Sequence, residues 1–259
     1  MFTPKLLPSR LDGMGPKTID NNYFPSLGLA ALRVLHVICE SHALLPRMLG
    51  AASPRPLVEH LGGRGNIFNS GEVDIVKALT KAGQGIGLAD LPSDYLSSSP
   101  EGVRLVTVGK VKEFGEGCAC PFNFLAKTLL KNLFLESNEI VLVDTDAGVE
   151  HVGRGVEEGC DAVLTVADPT AESLELAKIL HQEAAKLNKK FWLVVNKVTP
   201  SIVDVVKTKA KDVGLDLVGL IRFDEDVFRS CLIGETLKSK EALLDIQSVL
   251  KRLSLIEEQ

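Results

Sequence analysis

The sequence has no apolar run long enough to cross a bilayer, about eighteen residues or more. Its Val, Ile and Leu come in short blocks instead. It also lacks an excess of basic residues. The 29 Lys and Arg stand against 34 Asp and Glu, for a net charge of −5 with no basic stripe, which argues against nucleic acid as a partner. Repeats, low-complexity tracts and dividing linkers are absent, so residues 1–259 read as one domain. Cysteine is sparse and odd in number, five in all. At this length a hydrophobic core suffices without disulfides, and the thiols fit a reducing compartment. The start of the chain carries Lys5 and Arg10 but no apolar h-region, so no signal peptide is read there and a cytoplasmic location is expected.

What is present is an alternation of β-rich blocks and helical patterns. Residues 103–109 (VRLVTVG), 139–144 (EIVLVD), 162–167 (AVLTVA), 191–196 (FWLVVN) and 217–221 (LVGLI) read as strands buried on both faces. Helices are predicted over 122–134, 171–187, 201–213 and 240–253. In the second of these, Leu174, Ala177, Leu180, Ala184 and Leu187 recur at spacings of three and four. The expected fold class is α/β, a mostly parallel sheet flanked by helices. Residues 36–100, rich in Gly, Pro and Ser, read as a poorly patterned surface excursion, a candidate for mobility.

Ligands of open parallel sheets sit at the carboxyl ends of the strands. Asp144 ends one strand and is followed by Thr145, Asp146, Ala147, Gly148, Val149, Glu150 and His151. An acid there can hold Mg²⁺, and Gly148 lets backbone approach a γ-phosphate. The alternative is that Asp146 or Glu150 caps a helix or complements its dipole. Another strand ends in Asn196-Lys197. The amide of Asn196 could bond a purine edge and the stem of Lys197 could cover the base, although polar turns after strands are common. Cys118 and Cys120 offer two soft ligands where a closed zinc-like site needs four. Cys39, Cys160 and Cys231 stand singly, so a twofold dimer pairing Cys118 and Cys120 from each protomer would complete the set. The pair could equally be a detail of a loop or helix start. His151 is read as structural.

In combination, the run Asp144 to Gly155 with its Glu-His-x-Gly-Arg-Gly element, the Cys118-Ala119-Cys120-Pro121 element and Val194-Val195-Asn196-Lys197 resemble CooC-type ATPases. These are the MinD/ParA-related accessory proteins of carbon monoxide dehydrogenase maturation. The segment from Ile19 to Ala30, which contains Asp20 and Asn22, resembles that family's second-strand motif. The resemblance implies a P-loop NTPase fold, ATP and Mg²⁺ as cofactors, and catalytic roles for Asp20 and Asp144. It further implies a homodimer bridged by zinc or nickel at Cys118 and Cys120, and a nickel enzyme of the carbon monoxide dehydrogenase type as client.

One departure bears on all of this. The sequence has no Gly-Lys-Gly-Gly-x-Gly-Lys-Thr loop, and its nearest approach is Gly13-Met14-Gly15-Pro16-Lys17-Thr18. Pro16 lacks the N–H that a phosphate nest uses. Aligned on the motif that follows, residues 17–20 would be the second strand and 5–14 what remains of the first helix. The fold is therefore expected to lack its first strand and phosphate loop. Unmet backbone groups along that buried edge would cost about 1–3 kcal/mol each. Asn22, where the family has an Asp, can position water but cannot accept a proton. The expected function is that of a CooC-like ATPase and metallochaperone impaired in ATP binding. The alternatives are a non-catalytic metal- or partner-binding homologue, or a gene product whose start lies upstream. A positioning ATPase acting on membrane or DNA is disfavoured, because residues 240–259 lack a basic amphipathic face.

Overall fold

The structure is a computed structural model that describes residues 2–5, 33–38, 44–80, 85–109, 120–136, 139–145, 155–239 and 241–255. Its strands are β1 (Phe2–Lys5), β2 (Arg33–Ile38), β3 (Ile86–Gly87), β4 (Leu96–Ser98), β5 (Arg104–Thr107), β6 (Leu133–Phe134), β7 (Glu139–Asp144), β8 (Ala162–Ala167), β9 (Lys190–Val198) and β10 (Leu217–Arg222). Eight of them form one sheet in the order β10-β9-β8-β1-β7-β2-β5-β4, and β3 pairs with β6 apart from it. The contacts among β10, β9 and β8, and among β7, β2 and β5, are parallel. β4 and β1 run against their neighbours.

The five β-rich blocks of the sequence are β5, β7, β8, β9 and β10, and their apolar character follows from burial on both faces. On one face the helix Cys120–Asn132 sets Phe122, Leu125, Ala126, Leu129 and Leu130 against Val37, Val106, Val141 and Val143. The spacing of those five residues is the apolar stripe of a core-facing helix. On the other face Leu105, Ile140 and Ala162 form one cluster, while Val194, Val249 and Leu253 form a second that reaches the last helix, Glu241–Arg252. The helix Ala171–Lys186 starts at Thr170, whose Oγ1 accepts from the Ser173 N–H at 3.1 Å, and it buries Leu174, Ala177, Leu180 and Ala184.

Within 36–100, helices Leu57–His60, Arg64–Asn69 and Glu72–Leu79 place Leu57, Ile67, Ile75 and Leu79 in the core at 2% exposure or less. Two expectations change. The strand beside β7 is Arg33–Ile38, paired along its whole length. Residues 17–20, expected there, lie outside the described residues, as do Asp20 and Asn22. Finally, the position between β7 and β8 is not vacant. It holds Phe2–Lys5 running antiparallel, so Lys5 closes a strand where the remains of a helix were expected.

Candidate functional site at the carboxyl edge

The parallel strands end along one edge, and register fixes what stands there. Ile38 of β2 pairs with Asp144 of β7, and Thr107 of β5 pairs with Ile38. On the other side Ala167 of β8 pairs with Val195 of β9, so Asp168, Asn196 and Lys197 follow on the same edge, and Arg222 of β10 is level with Val198. The chain leaves β2 toward β5 but leaves β7 toward β8, in opposite directions along the sheet. Asp144 therefore stands at a topological switch point, the place where open α/β sheets form their ligand crevice.

Asp144 is 5% exposed and Thr145 only 2%. The Thr145 Oγ1 is buried without a hydrogen-bond partner. A buried hydroxyl in that state costs about 1–3 kcal/mol, a cost that a phosphate oxygen or a hydrated cation would relieve. Beside it an acid held from water suits a divalent cation. The structure thus brings Asp144 to the place expected of it and adds Thr145, which the sequence reading passed over. The signal was available, a polar residue continuing an apolar strand past its acid.

The other end of the edge is built by β8 and β9. Lys197 has φ of 59°, the left-handed region. Its N–H donates to the Asn196 Oδ1 at 2.9 Å, and its Nζ donates to the Asp168 Oδ2 at 3.0 Å. With Oδ1 engaged in this turn, the Asn196 Nδ2 is the atom left to donate to a ligand. The pair is half exposed, with Lys197 at 55% and Asp168 at 49%. Asp144 and Asn196 are separated by three steps across the sheet, about 14 Å at roughly 4.8 Å per step. An extended nucleoside triphosphate bridges such a span.

Past the crevice, Gly155 takes φ of 77° and opens the short helical turn Val156–Gly159. Within this turn Glu157 is 1% exposed and neither carboxylate oxygen has a hydrogen-bond partner. Burial pushes its pKa above the ordinary 4.5. Glu158 faces the other way, accepting from Lys127 at 2.7 Å and Lys131 at 2.9 Å on the helix Cys120–Asn132, and these two lysines hold it down to about 2. Neither carboxylate was singled out from the sequence, because a charged residue next to another reads as a solvated turn.

Of the remaining expected site residues, Gly148 and Cys118 lie outside the described residues. Cys120 is the exposed first residue of the helix Cys120–Asn132. Among the described residues no group of three or more His, Cys, Asp and Glu could hold a metal ion. No described helix is long and apolar enough to cross a membrane.

The sheet order and the edge define a MinD/ParA-type P-loop ATPase fold. The MinD cell division protein of Aquifex aeolicus matches 95% of this chain and 95% of its own with a TM-score of 0.58 at 14% identity, a likeness of fold. No protein-family model matches the chain. An uncharacterized ATP-binding protein of Methanocaldococcus jannaschii is 36% identical over 217 residues, 83% of this chain and 85% of that one. The chain belongs to the family of this ATP-binding protein and has the fold of MinD. The carbon monoxide dehydrogenase accessory protein CooC of Rhodospirillum rubrum is 34% identical over 139 residues, 53% of this chain and 52% of CooC.

Proposed function

We propose that the protein is a nucleotide-dependent metallochaperone of the CooC kind, binding ATP at the carboxyl edge and carrying nickel or zinc between two protomers. The observation that carries this reading is the buried Asp144–Thr145 pair at the switch point, with its unpartnered hydroxyl. Asp144 and Thr145 would face Mg²⁺ and the phosphates, and the Asn196 amide and Lys197 stem would face the base. Bound ATP would supply the free energy that separates two states of a dimer. The residues here orient it: Asp168 fixes the Lys197 ammonium, and the left-handed turn fixes the Asn196 amide. Without a Gly-Lys-Gly-Gly-x-Gly-Lys-Thr loop, phosphate binding rests on fewer amides, and ATP affinity is weak.

The metal is cargo, taken by Cys118 and Cys120 of two protomers. This sequence supplies one such pair per chain, so four sulfurs take two chains. The recipient fitting this cargo is a nickel enzyme of the carbon monoxide dehydrogenase type, by likeness to CooC. Titration with zinc and with nickel tests the reading. About one ion per dimer should bind and be lost in Cys118→Ala/Cys120→Ala. An unchanged stoichiometry in that variant would remove the Cys pair from the account.

A further inference from the structure

The helix Cys120–Asn132 carries a buried polar side chain that the fold does not explain. Asn123 is 3% exposed, and its Nδ2 is buried without a hydrogen-bond partner. An amide left in that state is costly, and Asn is also a poorer helix former than Ala or Leu. Neither helix propensity nor hydrogen bonding within the fold accounts for it.

The contacts of the helix fix where Asn123 stands. Phe122 packs on Gly109 so closely that a Cβ there would meet the ring Cδ1 at 2.7 Å. Gly109 lies two residues past Thr107, which pairs with Ile38 as Ile38 pairs with Asp144, so the first turn of the helix is at the carboxyl edge. Asn123 shares a stripe with Lys127, Leu130 and Lys131, at spacings of four, seven and eight. That stripe faces the turn Val156–Gly159. Lys127 and Lys131 donate to Glu158 at 2.7 and 2.9 Å, and a Cβ at Gly159 would meet the Leu130 Cβ at 2.6 Å. Turn and helix run in the same direction, since a Cβ at Gly155 would meet the Lys127 Nζ at 3.1 Å. One helical turn back toward the edge, Asn123 therefore looks over the carboxyl end of β7. There the Thr145 Oγ1 is likewise buried without a partner. Two orphaned groups on different elements, each able to donate, suit an anionic oxygen.

We propose that Asn123 reads the terminal phosphate: its Nδ2 donates to a γ-phosphoryl oxygen of bound ATP, beside Thr145. This rests on the reading that the carboxyl edge binds ATP. With the base at Asn196 on β9, the triphosphate runs along the edge toward β7, so the last phosphate is the one that reaches Asn123. ADP is one phosphate shorter and leaves the amide without a partner. Asn123 is then a specificity-determining residue for ATP over ADP.

The test is equilibrium titration of the full chain with Mg²⁺-ATP and Mg²⁺-ADP in parent, Asn123→Leu and Asn123→Asp proteins, with thermal unfolding of each ligand-free protein. The parent should prefer ATP by about tenfold, and Asn123→Leu should bring the ratio to about one by weakening ATP while leaving ADP unchanged. Asn123→Asp sets a carboxylate against the phosphate and should weaken ATP further. Asn123→Leu fills a similar volume without the orphaned amide, so its unfolding midpoint should be no lower than that of the parent. An Asn123→Leu protein that folds as well as the parent and keeps its ATP-to-ADP ratio overturns the proposal and leaves the ATP reading standing. Midpoints lowered in both variants, with equal losses of ATP and ADP affinity, make Asn123 structural and overturn it as well. No saturable ATP binding by the parent overturns both.

Discussion

The Lys197 Nζ meets the Asp168 Oδ2 at 3.0 Å, tying the carboxyl end of β9 to that of β8 while Lys197 itself holds a left-handed backbone. A left-handed residue other than glycine costs about 1–2 kcal/mol. An exposed ion pair returns about 0–1 kcal/mol. The arrangement is therefore not explained by stability, and it sets the Asn196 amide on the edge.

Lys197→Gly separates the two roles. It relieves the backbone cost, loses the pair and adds chain entropy, so urea unfolding should stay within about 1 kcal/mol of the parent. ATP affinity, measured by equilibrium titration, should fall by about tenfold. An unfolding free energy that drops by several times this amount would mean that the pair is structural.

Thr145→Val should shift stability and binding in opposite directions. The Oγ1 is buried without a partner, and Val fills nearly the same volume. Thermal unfolding of the ligand-free protein should become more favourable to the fold by about 1 kcal/mol, while Mg²⁺-dependent nucleotide binding declines.

Glu157 predicts a pH dependence with a definite sign. Its folded pKa lies above the ordinary value of 4.5, so the folded state holds the proton more tightly than the unfolded one. The stability this confers is complete below pH 4.5 and is lost as pH rises through the raised value. Glu157→Gln should stabilise the protein at pH 7 and flatten that slope in denaturant curves taken between pH 4.5 and 8. A variant less stable at pH 7 than the parent would show that the carboxylate is paired in solution.

Glu158 has the opposite sign. Lys127 and Lys131 hold its pKa down to about 2, so its contribution is present above the ordinary 4.5 and is lost as pH falls toward 2. The side chain is 37% exposed, which limits the gain to about 1 kcal/mol. Glu158→Gln should therefore be nearly silent at high salt and as pH falls through about 2, and measurable above pH 4.5 at low ionic strength.

The parts of the fold that the sequence made legible are those with long, uniform pattern. β7 and β8 have the bounds read from EIVLVD and AVLTVA, and the helix Ala171–Lys186 stops one residue short of its expected end. The helices of 36–100 were missed because each is four to eight residues long and buries only one or two apolar side chains, too few for a periodicity to emerge. The helix Glu225–Ile233 was missed although its ends were marked. Asp224 caps its start, accepting from the Val227 N–H at 3.1 Å, and Gly234 closes it in the left-handed region. At the site, Asp144 was readable as a polar residue ending an apolar strand, whereas β9 runs two residues past Asn196, to Val198. The antiparallel β1 was not readable, since FTPK has no strand pattern of its own and its place depends on what β7 and β8 leave open.

The claim at the centre of this account is that the carboxyl edge, from Asp144 to Asn196, binds ATP. Equilibrium titration of the full chain with Mg²⁺-ATP tests it most directly, in parent, Thr145→Val and Asn196→Ala proteins. Saturable binding with a dissociation constant on the order of 0.1–1 mM, weakened about tenfold in either variant, is the expected result. Binding that both variants leave unchanged, or no saturable binding by the parent at several times that concentration, would contradict it.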